Sequence, residues 1–282
     1  MHRTHFSAKT LLLFALTLTL SGLTLCAENT QPEIQQVAIS PAKKALLELV
    51  KTPETPDGLI QLPLRVHLIT HIELVREETK MGMWLTPADF EKTVLPEINR
   101  IWKQANIQWV LEKIVEQPGA NLPNREELIT YIQNSNRKEE EASRNRVPNI
   151  LRLSSSSRGH VAVHNLYLFP YIGQTFQGVA ARGGNWAVTA AWTDKPFRGK
   201  KPPIKFQLVE ELPFKIGSIG RTCSHELGHN LGLIHPEKET QTRFHRLMGG
   251  KKPGYNLVPE EIKLARKTAL KRAQKIRDWA TK

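Results

Sequence analysis

Alternation between hydrophobic and polar positions predicts the strands of this chain. Apolar residues occupy every second position from Leu62 to Leu68, which is the period of a β-strand. A second strand is predicted over residues 107–115, which are rich in β-branched and aromatic side chains. The same composition predicts three shorter strands further along the chain, at residues 161–169, 178–181 and 186–192.

Apolar residues at helical spacing predict helices before, between and after these strands. A brief helical pattern covers residues 42–50. A longer helix is predicted to begin at Thr86, a suitable N-cap because Pro87 follows it in the first turn, and to reach Asn106 with an interruption at Pro96. A final helix opens at residue 259 and carries an apolar stripe formed by Ile262, Ala265, Ala269, Ala273 and Ile276.

Residues 225–235 read His-Glu-Leu-Gly-His-Asn-Leu-Gly-Leu-Ile-His, a spacing that predicts a metal site. Each helical residue advances by about 100°, so His225 and His229 lie on one face and both imidazoles can reach one ion. A continuing helix would turn His235 away from that ion. Gly232 can end the helix, because glycine accepts the left-handed conformation that redirects the chain. His235 is therefore predicted as the third ligand.

Three imidazole ligands indicate a catalytic zinc ion. They leave a fourth, open position on tetrahedral Zn²⁺ for water, whereas structural sites fill all four positions with protein ligands. Glu226 follows the first ligand and is predicted to be the general base that takes a proton from the zinc-bound water. The reaction class is peptide hydrolysis. The alternative interpretation is a helix whose histidines only pack or face solvent.

These residues resemble the signature of the metzincin zinc endopeptidases, of the matrixin and reprolysin type, which is H-E-x-x-H-x-x-G-x-x-H followed by a methionine turn. Met248, thirteen residues after His235, matches the turn methionine, which in this family forms an apolar floor under the ligands. The resemblance implies an α+β fold. Its twisted, mostly parallel five-stranded sheet would have a backing helix and an active-site helix, and a small C-terminal subdomain would hold the Met-turn and a terminal helix.

The same resemblance carries expectations about the substrate and further ions. Residues 177–181 would form the edge strand of the cleft and pair with an extended peptide substrate. Matrixin-like relatives hold a second, structural zinc, but no ligands for a further Zn²⁺ or a Ca²⁺ are assigned here. Tyr255 lies seven residues beyond Met248, whereas relatives with an oxyanion-stabilising tyrosine have it two residues on, so Tyr255 receives no role.

The amino terminus has the three-part layout of a secretory signal peptide. Two basic residues precede an apolar run over residues 11–25, and the small residue Ala27 suits cleavage. Residues 1–27 are thus predicted to be removed, and the protein is predicted to be secreted into a periplasmic or extracellular compartment. A lipid anchor at Cys26 is the alternative, which the bulky Leu25 disfavours. No other apolar run in the sequence is long enough to cross a bilayer.

The rest of the chain divides into a short leader and one domain. Residues 28–60 form a leader or linker that ends in the turn-rich stretch 52–58 and is either a pro-segment or a plain spacer. Residues 61–282 are predicted to form a single zinc protease domain. Residues 125–146 and 195–215 depart from the compact pattern and are predicted to be insertions, the second either a solvated loop or a substrate-selecting rim.

A strong excess of basic residues bears on the partners. Lys and Arg total 40 against 27 Asp and Glu, which gives a net charge of +13. The expected partner is a protein or peptide substrate, since no specific nucleic-acid motif is present. Seven Lys and Arg residues between positions 263 and 277 form a solvated face or contact anionic surfaces weakly. With the signal removed, Cys223 is the remaining cysteine, so it is expected to be a small buried residue without an intramolecular disulfide.

Two alternatives to a secreted endopeptidase stay open. One is a cationic binding module in which zinc only staples the fold. The other is a zinc amidase that acts on a cell-wall polymer or another non-protein polymer. Both alternatives keep the three metal ligands. In the binding module Glu226 has no catalytic role, and in the amidase the bond that is cut lies in a non-protein polymer.

The remaining histidines are predicted to have ordinary packing or surface roles. His160 and His164 repeat the four-residue interval of the metal ligands, but they fall at a strand edge and lack an adjacent Glu. His67, His71 and His245 are isolated in the sequence.

Overall fold

The computed structural model describes residues 41–76, 79–119, 125–126, 163–172, 178–192, 218–237, 245–249 and 254–280. The predicted signal peptide and the second predicted insertion lie outside these residues, as do His160 and nearly all of the first predicted insertion. What the sequence predicts for these segments remains a prediction.

The described strands form a five-stranded sheet and a separate hairpin. They are β1 (Ile60–Thr70), β2 (Leu74–Arg76), β3 (Thr79–Met81), β4 (Ile107–Pro118), β5 (His164–Phe169), β6 (Gly178–Ala180) and β7 (Trp186–Ala190). The large sheet has the order β4-β1-β5-β7-β6, in which the first four strands are parallel and β6 is antiparallel to β7. β2 and β3 pair only with each other in the described residues. The predicted α+β class with a mostly parallel five-stranded sheet is confirmed.

The helices of the described residues occupy the predicted places in the chain. They are α1 (Pro41–Glu48), α2 (Pro87–Asp89), α3 (Leu95–Trp102), α4 (Ile219–Asn230) and α5 (Pro259–Ala280). A π-helical turn at Phe90–Val94 joins α2 to α3, and a 3₁₀ turn at Lys103–Ala105 follows α3. α1 corresponds to the brief pattern at residues 42–50, and α5 begins where predicted.

The helix predicted to begin at Thr86 has a capping box at its first turn. The Thr86 hydroxyl accepts a hydrogen bond from the Asp89 N–H at 3.1 Å, while the Asp89 carboxylate accepts one from the Thr86 N–H at 3.0 Å. Pro96 lies inside α3 instead of ending it. The π turn just before it bonds the Leu95 N–H to the Phe90 carbonyl, and this wider turn accommodates a residue that lacks an N–H and crowds the preceding turn. Pro96 therefore interrupts the hydrogen-bond pattern but not the helix.

β1 is buried on both faces. Its alternating apolar residues belong to the main hydrophobic core, which also contains side chains of α3, α4 and α5. The intervening Arg65 and His67 are buried as well. Arg65 donates to both carboxylate oxygens of Glu112, at 2.7 and 2.8 Å, and His67 Nε2 lies 3.1 Å from Asn165 Oδ1. Central strands of parallel sheets are commonly covered on both sides, and polar groups there need such partners.

α1 and α5, the first and last described helices, pack against each other. Leu46 and Val50 are buried in the main core, and Lys51 pairs with Gln61 through an isolated antiparallel bridge. The division of the chain at residue 60 stays a prediction. α5 buries the alanine and isoleucine stripe that the sequence predicts, with Ile262 half-buried. No helix among the described residues is both long and apolar enough to span a bilayer.

Candidate metal centre

Helix α4 carries the first two predicted ligands and is anchored at its N-terminus. The Ser218 hydroxyl accepts a hydrogen bond from the Arg221 N–H at 3.1 Å and donates one to Glu97 Oε1 at 2.5 Å. Gly220 makes this approach possible, because a Cβ there would overlap the Glu97 carboxylate. The helix also packs against α3, β6 and β7. The ligands are therefore presented by a helix that is held along its length.

α4 ends where the sequence predicts. Gly232 has a φ of +90°, the left-handed conformation that favours glycine just after a helix. The Leu233 N–H donates to the Gly228 carbonyl and the Gly232 N–H to the His229 carbonyl, both at 2.9 Å, and these are the two bonds of a Schellman motif. The chain then reverses, which brings His235 back toward the first two histidines.

The three predicted ligands form one cluster. One ring nitrogen from each lies within 4.8 Å of the other two, and His225 Nε2 is 2.9 Å from His235 Nε2. Neighbouring ring centroids are 4.8 to 5.0 Å apart. His225 is buried, His229 is half-buried and His235 is exposed. The cluster is therefore accessible from the side of His235.

Two backbone carbonyls orient the rings on α4. His225 Nδ1 lies 2.8 Å from the Leu247 oxygen, and His229 Nδ1 lies 2.9 Å from the Leu233 oxygen. A carbonyl oxygen only accepts hydrogen bonds, so each Nδ1 carries the proton and each Nε2 keeps its lone pair. Burial lowers the pKa of both imidazoles, that of His225 well below its ordinary value. Both rings are therefore neutral, which is the form that binds a metal.

The Glu226 carboxylate packs against the edge strand β6. A Cβ added at Gly178 would overlap that carboxylate, so a larger residue on β6 would displace it. Glu226 is 4% exposed, and its Oε2 has no hydrogen-bond partner among the described residues. Burial raises the pKa of Glu226 to about 8, although the nearby Arg221 guanidinium lowers it. A buried carboxylate oxygen without a partner needs an explanation, and a proton acceptor for a bound ligand is one.

The chain around Met248 lies against α4. Met248 is fully buried, and a Cβ added at Gly228 would be 2.8 Å from its Sδ. The thioether therefore packs directly on the helical turn between the two α4 histidines. The Leu247 N–H donates to the Asn256 carbonyl at 2.7 Å, and the Asn256 N–H donates to the His245 carbonyl at 3.0 Å. These bonds tie this part of the chain to the residues that precede α5.

The donor set fits a zinc ion. Imidazole nitrogens are common zinc ligands, and the ligands of a tetrahedral ion with bonds of about 2.0–2.1 Å lie roughly 3.3 Å apart. The nitrogens here are between 2.9 and 4.8 Å apart, which brackets that separation. Within the part of the chain that the structure describes, these three histidines are the group of His, Cys, Asp or Glu residues that can hold a metal.

Two other histidines are buried but stay outside this cluster. His164 is fully buried, with its Nδ1 3.4 Å from Asn230 Oδ1 and its ring edge-on to Trp109. His67 is also fully buried and stacks on Tyr167 with a centroid separation of 4.3 Å. Both therefore have the packing role that the sequence predicts.

Cys223 and Tyr255 also occupy structural positions. Cys223 is a fully buried free thiol in the main core, as expected, and burial raises its pKa. The thiol is therefore protonated and unreactive at neutral pH. Tyr255 packs half-buried against the same core, and its carbonyl accepts a hydrogen bond from Gln104 Nε2 at 2.8 Å.

Sequence reasoning missed the contacts of three residues beside the site, namely Gly178, Arg221 and Asn230. Arg221 lies four residues before His225, hence on the same face of α4, and this spacing was a usable signal. Gly178 and Asn230 act through contacts with segments distant in the sequence, which no local pattern reveals.

No family model matches the chain, and no curated protein matches it. Among similar solved structures, archaemetzincin from Methanopyrus kandleri has 12% identity and a TM-score of 0.39, over 77% of this chain and 98% of that one. Metalloproteinase-II from Bacteroides fragilis has 14% identity and a TM-score of 0.39, over 80% of this chain and 60% of that one. A chain of a chaperone–substrate complex has 14% identity and a TM-score of 0.41, over 78% of this chain and 35% of that one. This chain therefore spans about a third of the length of that solved chain. Likeness at this level assigns neither a family nor a function.

Proposed function

We propose that this chain is a secreted zinc-dependent endopeptidase, with His225, His229 and His235 as the metal ligands and Glu226 as the general base. The observation that carries the proposal is the convergence of three imidazoles beside a buried carboxylate that has an oxygen without a partner in the described residues. Bound zinc supplies Lewis acidity toward a substrate carbonyl and lowers the pKa of a coordinated water to about 7.

Glu226 accepts a proton from the attacking water and passes it to the leaving nitrogen of the peptide bond. Its contact with Gly178 restricts the carboxylate to the side of the edge strand. Glu226 is ionised at neutral pH when a cation lies beside it, because an opposite charge lowers the pKa that burial raises.

β6 is the proposed binding strand for an extended substrate. The Ala181 N–H donates to the Trp186 carbonyl at 3.2 Å, and hydrogen-bonded pairs alternate along an antiparallel ladder. Gly178 and Ala180 therefore direct their backbone groups away from β7, toward the edge of the sheet. A peptide that pairs with those groups has its backbone beside the Glu226 carboxylate. This geometry favours cleavage within a chain that extends on both sides of the cut bond.

Met248 takes the role of an apolar floor in this proposal, and its contact with Gly228 between two of the ligands supports that role. Secretion follows from the predicted signal peptide at residues 1–27. Peptides or proteins in an extracytoplasmic compartment are the corresponding substrates.

The Glu226→Gln variant tests the proposal. Wild-type protein incubated with a diverse peptide library should cut internal peptide bonds, lose activity with a chelator and regain it with zinc. The variant should retain one zinc per chain and hydrolyse peptides roughly 10²–10⁴ times more slowly, because general acid–base catalysis contributes about that factor. Mass spectrometry of the library gives the cut sites, and elemental analysis gives the zinc content.

Glu116→Gln is the matched control, because Glu116 is exposed on β4 at the opposite edge of the sheet. It should cut peptides at the wild-type rate. Wild-type activity in Glu226→Gln would contradict the assigned base. Zinc binding without cleavage of any peptide would favour a zinc-stapled binding module, and turnover confined to non-protein polymers would favour an amidase.

A further inference from the structure

Arg221 is a buried cation one helical turn before His225. Arg221 is 6% exposed. Its Nε donates to the Gly254 carbonyl at 3.0 Å, and its Nη2 donates to the Leu247 carbonyl at 2.5 Å and to the Gly249 carbonyl at 3.3 Å. Burial lowers the pKa of Arg221 to about 10, so the guanidinium stays charged at neutral pH. Burying a charge is costly, so the contacts of this arginine need an explanation.

The Leu247 carbonyl is shared between Arg221 and His225. Its oxygen accepts a hydrogen bond from the guanidinium and another from His225 Nδ1 at 2.8 Å, which uses both lone pairs. Both donors belong to α4, four residues apart, so the carbonyl is clamped at a fixed position relative to the imidazole. If the carbonyl moved away, Nδ1 would lose its acceptor, and the ring would be free to rotate or to carry its proton on Nε2.

We propose that Arg221 is a positioning residue of the metal site: it holds the Leu247 carbonyl, and that carbonyl fixes the tautomer and the orientation of His225. This inference rests on the zinc site proposed above. Arg221 acts through the carbonyl and is not a ligand. The other two guanidinium bonds, to Gly249 and Gly254, hold residues that follow Met248 and so restrict the movement of the segment to which the Leu247 carbonyl belongs.

The charge of the guanidinium and its hydrogen bonds affect zinc affinity separately, and Arg221→Lys distinguishes them because it keeps the charge. The guanidinium repels a cation bound at the histidines but also favours the charged form of the Glu226 carboxylate, which attracts that cation, so removal of the charge alone has two opposed effects. Its hold on the Leu247 carbonyl keeps His225 ready to bind, so removal of the clamp weakens zinc binding. Loss of a group that orients a metal ligand typically costs about 10-fold to 100-fold in affinity.

The experiment measures zinc affinity by competition with a chelator in Arg221→Met and Arg221→Lys, together with the visible spectrum of the cobalt-loaded protein. We expect Arg221→Met to bind zinc about 10-fold to 100-fold more weakly and to show an altered cobalt spectrum. Arg221→Lys keeps the charge but has all its donors on one nitrogen, so it cannot reproduce the bonds that Nε and Nη2 make to separate carbonyls, and its affinity should lie between those of the methionine variant and the wild type. Neither readout depends on peptide hydrolysis.

Arg266→Met is the matched control. Arg266 also donates to several backbone carbonyls, at 2.6 Å to Ala105, 2.5 Å to Pro56 and 2.9 Å to Gly58. These carbonyls belong to the 3₁₀ turn after α3 and to the residues just before β1, not to the metal site. The control should lower the unfolding temperature and leave zinc affinity and the cobalt spectrum unchanged. A similar loss of affinity in this control would show that general destabilisation is responsible and would overturn the proposal.

Unchanged or tighter zinc binding in Arg221→Met would also overturn the proposal while leaving the zinc site intact. If Arg221→Met does not fold, Arg221→Lys decides, and wild-type affinity with a wild-type cobalt spectrum in that variant counts against positioning. A wild-type protein that binds no zinc would instead contradict the proposed function itself. The two failures are therefore distinguishable.

Discussion

The three histidines of the metal cluster and the two histidines of the strands differ in what their ring nitrogens contact. His225, His229 and His235 bring ring nitrogens together within 4.8 Å. His67 and His164, on β1 and β5, each face an asparagine side chain instead, at 3.1 and 3.4 Å. All but His229 and His235 are buried. Burial of an imidazole therefore does not mark a metal site, whereas convergence of its nitrogens with those of other rings does.

The pKa values of these histidines do not separate the two groups either. Burial lowers the pKa of His67 to about 4 and that of His164 to about 3, and it also lowers the pKa of His225 and His229. Each imidazole is neutral for the same reason, which is the cost of placing a charge away from water. What differs is where the second ring nitrogen lies: those of His225 and His229 converge with a nitrogen of His235, whereas His67 Nδ1 and His164 Nε2 are buried apart from each other and have no hydrogen-bond partner among the described residues.

The largest expected effect comes from removing one member of the cluster. His235→Ala should weaken zinc binding at least about 100-fold, because structural zinc sites gain about 10–16 kcal/mol from four ligands, or roughly 3 kcal/mol from each. His164→Asn should lower the free energy of unfolding yet leave one zinc bound per chain. Chelator competition and elemental analysis measure both variants.

His235 is the sharpest choice for this comparison because it lies outside α4 and is exposed, so its removal does not disturb the core. Zinc affinity that stays at the wild-type level in His235→Ala would remove it from the ligand set. Loss of zinc in a folded His164→Asn would show that the strand histidines belong to the site after all.

The difference between the two groups also shows what could be predicted from the sequence. The meeting of His225 and His229 is a local consequence of helical spacing, and the return of His235 follows from Gly232, so both could be predicted. The strands could be placed for the same reason, because their period is local. The contact between Gly178 and Glu226 could not, since it depends on how β6 lies across α4.

Local sequence patterns also do not predict which polar residues are buried in the interior of the sheet. Arg65 and His67 occupy the polar positions of an alternating strand, but the structure buries them against Glu112 and Asn165. Alternation identifies the strand and one of its faces, whereas the covering of the second face is set by segments distant in the sequence.

Acid should destabilise the fold through the strand histidines. The folded pKa of His164 lies near 3 and its ordinary value is 6.5, so below pH 6.5 the unfolded chain binds a proton that the folded chain does not. Stability therefore rises with pH through this window and falls on acidification, by about 1.4 kcal/mol per pH unit for each such histidine. His67 contributes in the same direction down to about pH 4.

Urea unfolding between pH 6 and pH 4.5, in the presence of a chelator, measures this slope. His164→Asn should have a slope that is smaller by about 1.4 kcal/mol per pH unit, which corresponds to one proton fewer. His71→Asn is the control because His71 is exposed, and asparagine tolerates its φ of 54°. An unchanged slope in His164→Asn would contradict a neutral, buried His164.

The smallest effect on zinc affinity is expected at Asn230, the residue that joins the two groups. It follows His229 on α4, its side-chain nitrogen donates to the Ala181 and Trp186 carbonyls at 3.1 and 2.8 Å, and its oxygen faces His164 Nδ1. Asn230→Ala should cost about 2–3 kcal/mol of unfolding free energy, because it leaves buried carbonyls and an imidazole nitrogen without partners. Urea unfolding measures the loss.

Zinc affinity in Asn230→Ala should change by no more than a few-fold, because the carbonyls that orient His225 and His229 belong to Leu247 and Leu233 and not to the segments that Asn230 holds. Asn230→Asp sharpens the test. An aspartate can accept from His164 but cannot donate to the two carbonyls, so it should be at least as destabilising as alanine. A large loss of zinc affinity in either folded variant would mean that the strand histidines and the metal cluster are coupled through Asn230, and the separation between the two groups would not hold.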